Sequence, residues 1–466
     1  MLPKAGCPRA SIRPCSTAML DFSDRDFRRL LAEAVGTEAA LKVTEALSGS
    51  PSVSLRMNPS KMKEPPFRDT APVPWNRHAF LLGERPQFVA DPFFHAGAYY
   101  VQDSSAMFPG YIFRQLIPEA DRPLRVLDLC AAPGGKTTDL AASLREACGD
   151  AFVLVANEVM RQRAEVLKDN AALWGDPNVV VTSADPEAFA SMEGFFDMIV
   201  ADVPCSGEGM FRKDAGAVED WSTAAVELCA ARQRRIIADV FPALAEGGTL
   251  IYSTCTFNRI ENDCNVQWIA ETLGAEVLSP GAAFPGVMET ERGYALLPGM
   301  VPGEGQYVAA LRKAATAGDF RLRSVRSGNE SRFRKYEDWF ISGMSFRMHG
   351  DTLTAVPEGI VRETEALGRL RPLSAGVCTG TVKGVVTVPS ADLALSSVFA
   401  RGVFPEAELD RETAIAFLSR DSIVLEDAPT GYVAVTYGGL PLGFVKNLGR
   451  RCNNLHPPGR RIRKRL

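Results

Sequence analysis

The feature that most constrains this chain is a series of six apolar segments between Leu124 and Lys313, alternating with turns and helical stretches. They read RVLDL, AFVLVANE, NVVVTSAD, FDMIVAD, GTLIYST and QYVAALR. Strands that are apolar almost throughout are buried on both faces, and parallel neighbours need a crossover, usually a helix. The expected fold is therefore α/β, a Rossmann-like core of βαβ units around a mostly parallel sheet. In such a sheet ligands bind in the crevice beyond the C-terminal ends of the strands, so the residues closing each strand are the ones to read for chemistry.

At 466 residues the chain is too long for a single core, and its composition shifts mark the borders. Residues 1–18 carry Pro3, Lys4, Pro8, Arg9 and Arg13 without an apolar stretch, so they read as a disordered lead or false start before Met19 and not as a secretory signal. Residues 19–123 form an N-terminal α/β region. Helical spacing runs from Asp21 to about Leu47, SVSLRMNP reads as a strand, and the proline-rich Lys61–Trp75 reads as an extended connector. The βαβ segment, where any chemistry at the strand ends would sit, is 124–313, followed by a linker over 314–338 and a β-rich domain over 339–466. Within the last, SIVLED, GYVAVTY and LGFVKN look like strands, and the end is basic: Arg450, Arg451, Arg460, Arg461, Arg463, Lys464 and Arg465.

Composition removes several classes. A 46% hydrophobic, 23% charged chain is an ordinary folded protein. Its net charge of −4 provides no general pull toward polyanions, so any such grip must be local. No apolar run approaches the roughly 20 residues of a spanning helix, and a cytoplasmic location is expected. Ten cysteines are too sparse for a disulfide scaffold and none form a CxxC pair, so no metal is expected. The four histidines include none between His95 and His349, which excludes a histidine-based catalytic triad confined to the catalytic segment.

The first strand runs into Cys130-Ala131-Ala132-Pro133-Gly134-Gly135-Lys136, a glycine turn that opens a helix. Two readings compete for it. It approaches the phosphate loop GxxxxGK[ST], but Cys130 stands where that pattern starts with Gly, and Pro133 lacks an N–H for a phosphate cradle. Alternatively it is the close-approach turn of a nucleoside cofactor, which needs an acidic residue about 20 residues on to hold ribose hydroxyls. Glu158 satisfies that spacing. Asp185, closing the third strand, either bonds an adenine amino group or only caps the turn at Pro186.

Two cysteines stand beyond the next strand ends, Cys205 in Asp202-Val203-Pro204-Cys205 and Cys255 in Ser253-Thr254-Cys255. Two thiols, an aspartate and a nucleoside cofactor, without histidine or metal, suit methylation of a pyrimidine at carbon 5. That carbon becomes nucleophilic once a thiolate adds at carbon 6. Asp202 suits the amino edge and ring nitrogen of an extruded cytosine. Residue types alone do not say which cysteine attacks.

The strings LDLCAAPGGKTT, ANEV, DVPCSGEGMFRKD and YSTCTFNRIEN, in this order, resemble those of the Nol/Nop/Sun family of RNA (cytosine-5) methyltransferases. SLRMNP and HAGAYYVQDSSAM upstream, and LRPLSAGVCTGTVKGVVTVPSADLAL and YGGLPLGFVKNLG downstream, extend the likeness to the bacterial RsmF-like branch with a PUA-like C-terminal domain. The resemblance implies a class I methyltransferase core flanked by two RNA-binding regions, with S-adenosyl-L-methionine as methyl donor. It implies Cys255 as nucleophile, Cys205 in product release and Asp202 on the target base. The cofactor is implied on Cys130 to Lys136, Glu158, Asp185 and Asp202. The expected substrate is RNA of the small ribosomal subunit, with transfer RNA as the alternative, and the expected state a monomer. One departure stands out: in LLPGMVPGEGQYVAALRK, Met300 and Gln306 occupy places where the family often has a histidine and an aromatic.

Overall fold

The computed structural model describes residues 25–314, 320–322 and 331–463. The lead of residues 1–18 and much of the expected linker lie outside the described residues.

The expected first helix is a pair, α1 (Arg25–Val35) and α2 (Thr37–Leu47), broken at Gly36. Gly36 has φ +81°, a conformation that costs glycine nothing and most side chains a good deal. Phe27, Leu30 and Leu31 on α1 and Val43 and Leu47 on α2 are buried, at the spacing of one helix face. They pack on Phe211, Trp221 and Phe257 of the catalytic region. β1 (Val53–Met57), β2 (Thr70–Val73), β3 (Asn76–Leu82) and β4 (Tyr99–Val101) make an antiparallel sheet in the order β2-β3-β1-β4. The proline-rich connector thus contains a strand after all. It is an edge strand, where Pro72 forfeits no interior ladder bond. α3 (Pro92–His95) and α4 (Phe108–Leu116) lead into the catalytic core.

All six expected strands form. The core runs β5 (Leu124–Asp128), α5 (Gly135–Cys148), β6 (Phe152–Asn157), α6 (Arg161–Trp174), β7 (Val179–Thr182), β8 (Phe196–Asp202), α7 (Ala215–Glu219), α8 (Thr223–Val240) and β9 (Leu244–Thr254). α9 (Asp263–Leu273), β10 (Ala275–Leu278), β11 (Met288–Glu289), β12 (Tyr294–Leu296) and β13 (Gln306–Lys313) complete it. β7, β6, β5, β8 and β9 are parallel neighbours in that order, and β13 lies antiparallel on β9 with Tyr307 opposite Thr254. Alternate residues feed two cores: Val126, Leu154, Met198 and Ile251 on one face, Leu127, Val153, Ile199 and Leu250 on the other. Strand order reverses between β5 and β8, which opens the crevice at their C-terminal ends.

The C-terminal region begins inside the expected linker: the turns of Ser331–Trp339 bury Phe333 and Tyr336 in its core. β14 (Met344–His349), β15 (Thr352–Pro357), α10 (Val361–Leu367), β16 (Ser374–Ala375), β17 (Val377–Lys383), β18 (Val386–Pro389) and α11 (Ala391–Leu395) come first. β19 (Glu406–Glu408), α12 (Arg411–Ser419), β20 (Gly431–Tyr437), β21 (Leu440–Asn447) and β22 (Cys452–Asn454) follow, giving two four-stranded sheets. SIVLED is not a strand; Ile423 and Leu425 are buried as single anchors in an extended loop. β16 pairs antiparallel with β7 and so covers the open edge of the catalytic sheet. The basic end is not a free tail either. Arg460 is nearly buried and pairs with Asp169 of α6 and Asp392 of α11, while Ile462 sits in the core. Among its described residues only Arg450, Arg451, Arg461 and Arg463 are exposed cations.

Candidate functional site

The strand ends bring the expected residues to one edge. Sheet order makes β8 and β9 neighbours, with Asp202 opposite Ser253, so the loops that follow carry Cys205 and Cys255 side by side. Their sulfurs lie 3.1 Å apart. The hydrogen bond with Cys255, burial, and the charges of Cys255, Glu261 and Asp202 raise the Cys205 thiol well above its usual range. The two thiols share one hydrogen bond, in which either sulfur can donate.

Asp202 closes β8, and its carboxylate is fully directed. Oδ2 accepts from Lys136 Nζ at 2.9 Å; Oδ1 accepts from Ser253 Oγ at 2.8 Å and Gln306 Nε2 at 3.1 Å. Burial works against the Lys136 charge, but the charges of Asp202, Asp128 and Cys255 and the Asp202 hydrogen bond outweigh it, so the ammonium is held above its ordinary value. A lysine spent on a carboxylate is not reaching for a phosphate.

The turn before α5 is built for close approach. Gly134 has φ +116°, and a Cβ on Gly135 would stand 3.3 Å from Gln102 and Tyr100. Ala131 N–H bonds Asn157 O at 2.8 Å, and the Ala132 and Pro133 carbonyls accept from Arg163 at 2.9 Å and Asn170 at 2.7 Å. Beneath the turn, burial pushes Asp128 up to about 7 although Thr137 donates to it at 2.7 Å. Burial and the charges of Asp202, Asp128 and Glu158 all push the Cys130 thiol up. Glu158 follows directly on β6 and is buried, accepting from Met160 N–H at 2.9 Å and pairing with Arg163 at 3.1 Å. Asp185 is exposed and caps the following turn through Glu187 N–H at 3.1 Å. The glycine turn, a buried acid one strand along and an aspartate at the crevice fit a nucleoside cofactor.

Sequence reasoning did not assign the layer beneath the cysteines. Glu208 accepts from Phe257 N–H at 2.6 Å, Asn258 at 3.0 Å and Trp221 Nε1 at 3.1 Å. Glu261 accepts from Ser206 N–H at 3.0 Å, Gln233 at 2.7 Å and Asn258 at 2.9 Å. Gly209 N–H donates to Cys255 O at 2.7 Å, where a Cβ on Gly209 would also collide. Both cysteine loops are thereby tied to one buried network. Arg212 adds the far side, reaching Glu304 at 2.7 Å. Glu208, Arg212, Asn258 and Glu261 stood in the recognised strings, so their presence was visible but their pairing was not.

This crevice, sheet order and cysteine pair define a Rossmann-like methyltransferase. Sequence profiles agree: 16S rRNA methyltransferase RsmB/F matches residues 115–312, the N-terminal domain of 16S rRNA methyltransferase RsmF residues 24–104, and the methyltransferase RsmF PUA domain residues 404–462. The Escherichia coli (strain IAI39) ribosomal RNA small subunit methyltransferase F is 33% identical over 419 residues, covering 83% of this chain and 84% of that protein. The protein of that name from Shigella dysenteriae (strain Sd197) is 33% identical over 442 residues, 87% of this chain and 89% of its own. The chain belongs to the RsmB/F family of methyltransferases that use S-adenosylmethionine. Among solved structures, a methyltransferase homologue from Pyrococcus horikoshii has a TM-score of 0.50 at 25% identity, covering 61% of this chain and 93% of that one. NSun6 from the same organism, solved with the S-adenosylmethionine analogue SFG, has a TM-score of 0.52 at 19% identity over 62% of this chain and 98% of its own, and shares the fold. Among the described residues no helix is long and apolar enough to cross a membrane, and no group of three or more His, Cys, Asp or Glu is placed to hold a metal.

Proposed function

We propose that this protein forms 5-methylcytosine in RNA of the small ribosomal subunit, with Cys255 as nucleophile and Cys205 in product release. The observation that carries the reading is the 3.1 Å approach of the two sulfurs beside a fully directed Asp202. The site would hold S-adenosylmethionine along Cys130–Lys136, Glu158 and Asp185, and its methylsulfonium supplies the electrophilic methyl group. Lys136 is held charged beside Asp202, and the thiolate is the attacking form of a cysteine. That sulfur adds to carbon 6 of the extruded base while Asp202 steadies the amino edge, and carbon 5 gains the electron density it needs for methylation. Addition takes away the Cys255 hydrogen bond, the largest of the influences that hold the proton on Cys205. Once Cys205 has given its own proton to bulk water, its thiolate takes the proton from carbon 5, the carbon–sulfur bond to Cys255 breaks with its electron pair returning to that sulfur, and the methylated base leaves. The reading includes a monomer in the cytoplasm.

Cysteine variants test it. Cys255→Ala should abolish both methylation and covalent capture of RNA. Cys205→Ala should accumulate a protein–RNA adduct that survives denaturing electrophoresis, because addition proceeds and elimination stalls. The reverse pattern would exchange the two roles.

A further inference from the structure

Gln306 opens β13 and is only 2% exposed. The pairing of Tyr307 with Thr254 puts it beside the strand that delivers Cys255. Its Nε2 donates to Asp202 Oδ1 at 3.1 Å. A carboxylate only accepts, so the amide cannot be turned the other way: its nitrogen faces Asp202 and its oxygen faces elsewhere. Among the described residues no group donates to Gln306 Oε1, and that oxygen is not among the buried atoms sealed without a partner. Asp202 is more heavily committed. Both lone pairs of Oδ1 are taken, by Ser253 and Gln306, and one of Oδ2 by Lys136. Beside Asp202 there is thus a second acceptor, an amide oxygen whose orientation is fixed by the bond its nitrogen makes to that aspartate.

We propose that Gln306 Oε1 accepts a hydrogen bond from the exocyclic amino group of the target base, and so makes the site accept cytosine and refuse uracil. The inference rests on the cytosine-5 reading above. Cytosine presents N4–H₂, a donor, where uracil presents O4, an acceptor. A uracil carbonyl would face Oε1 acceptor to acceptor, leaving neither with a partner, and such mismatches discriminate far better than shape does. The departure at Gln306 noted in the sequence thereby becomes a base-reading device of this chain.

The test compares kcat/KM for substrate RNA carrying cytosine or pyrimidin-2-one at the target position, the second lacking only the 4-amino group. Wild type should prefer cytosine by roughly tenfold or more. Gln306→Met and Gln306→Leu should lose severalfold on cytosine and little on pyrimidin-2-one, so that the preference shrinks to the share that Asp202 supplies. An unchanged rise in Tm with S-adenosylhomocysteine checks folding. A variant that keeps that rise and the full preference overturns the proposal while leaving cytosine-5 methylation standing. If neither variant folds, wild type decides alone: equal rates on the two RNAs would show that the amino group is not read. Wild type that forms no 5-methylcytosine would instead overturn the function itself.

Discussion

Glu158 and Lys136 separate the cofactor readings at the level of single residues. In a phosphate loop the lysine meets transferred charge, whereas here Lys136 pairs with Asp202 and a buried Glu158 terminates the next strand. Glu158→Ala should weaken S-adenosylmethionine binding by about 1.5–3 kcal/mol, the usual size of a hydrogen bond to a charged group, read by calorimetry. Lys136→Ala should leave cofactor affinity within a fewfold and depress methyl transfer instead, since it removes the cation beside Asp202 and Cys255. Loss of cofactor binding in Lys136→Ala with none in Glu158→Ala would return the loop to the phosphate reading.

The element of interest is β5 and the turn that follows it. Asp128 ends the strand with its carboxyl pushed up to about 7 by burial, against an ordinary value near 3.9. The folded state therefore holds this proton more tightly than the unfolded chain does. The stabilising contribution is complete below about pH 4 and is lost as pH rises toward 7. Asp128→Asn, which cannot ionise, should be more resistant to urea than wild type at pH 8 and should flatten the fall in stability between pH 4 and 7. Identical curves for the two proteins would mean that Asp128 is not protonated in the fold. The network under the cysteine loops acts at the same scale. Glu261→Ala leaves the Ser206 N–H and Gln233 amide without their acceptor, so it should lower Tm and slow adduct formation together.

The whole molecule is held as one unit by contacts across its sequence. Arg56 of β1 is buried against Asp139 and donates to Thr138 at 2.6 Å and Gly135 O at 3.0 Å, which ties the N-terminal sheet to the cofactor turn. Arg460 ties the opposite end to α6 and α11. Arg460→Ala would remove the nearly buried guanidinium that joins Asp169 to Asp392 and should lower Tm, whereas changing Arg450, Arg451, Arg461 and Arg463 to Gln should leave Tm nearly unchanged. The quadruple variant should bind RNA more weakly, with the slope of log affinity against log salt reduced by roughly 0.7 for each phosphate that is no longer neutralised. An unchanged slope would move the RNA grip away from this end. Acid acts on the same region: burial pushes His456 down to about 4, so its contribution is present above about pH 6.5 and lost as pH falls through 4. His456→Phe, which keeps the ring packed on Phe417, should reduce that acid loss in a denaturation series from pH 7 to 4.

The sequence by itself determined the catalytic sheet and the edge on which chemistry sits. Burial on both faces demands long apolar runs, and three of the six close on an acid that the sequence singles out, Glu158, Asp185 and Asp202. Elements resting on local turn geometry or a single anchor were less legible. Gly36 splits a periodic helix, Pro72 hides an edge strand, and the apolar letters of SIVLED serve a loop. What only the tertiary structure decided is the pairing of polar groups distant in sequence. Cys205 with Cys255, Glu208 with Phe257, Gln306 with Asp202 and Arg460 with Asp169 meet because strand order and packing bring them together. Apolar burial is non-directional and leaves a periodic trace along the chain, whereas a hydrogen bond needs one partner at one distance and angle, and nothing local in the sequence says which residue that will be.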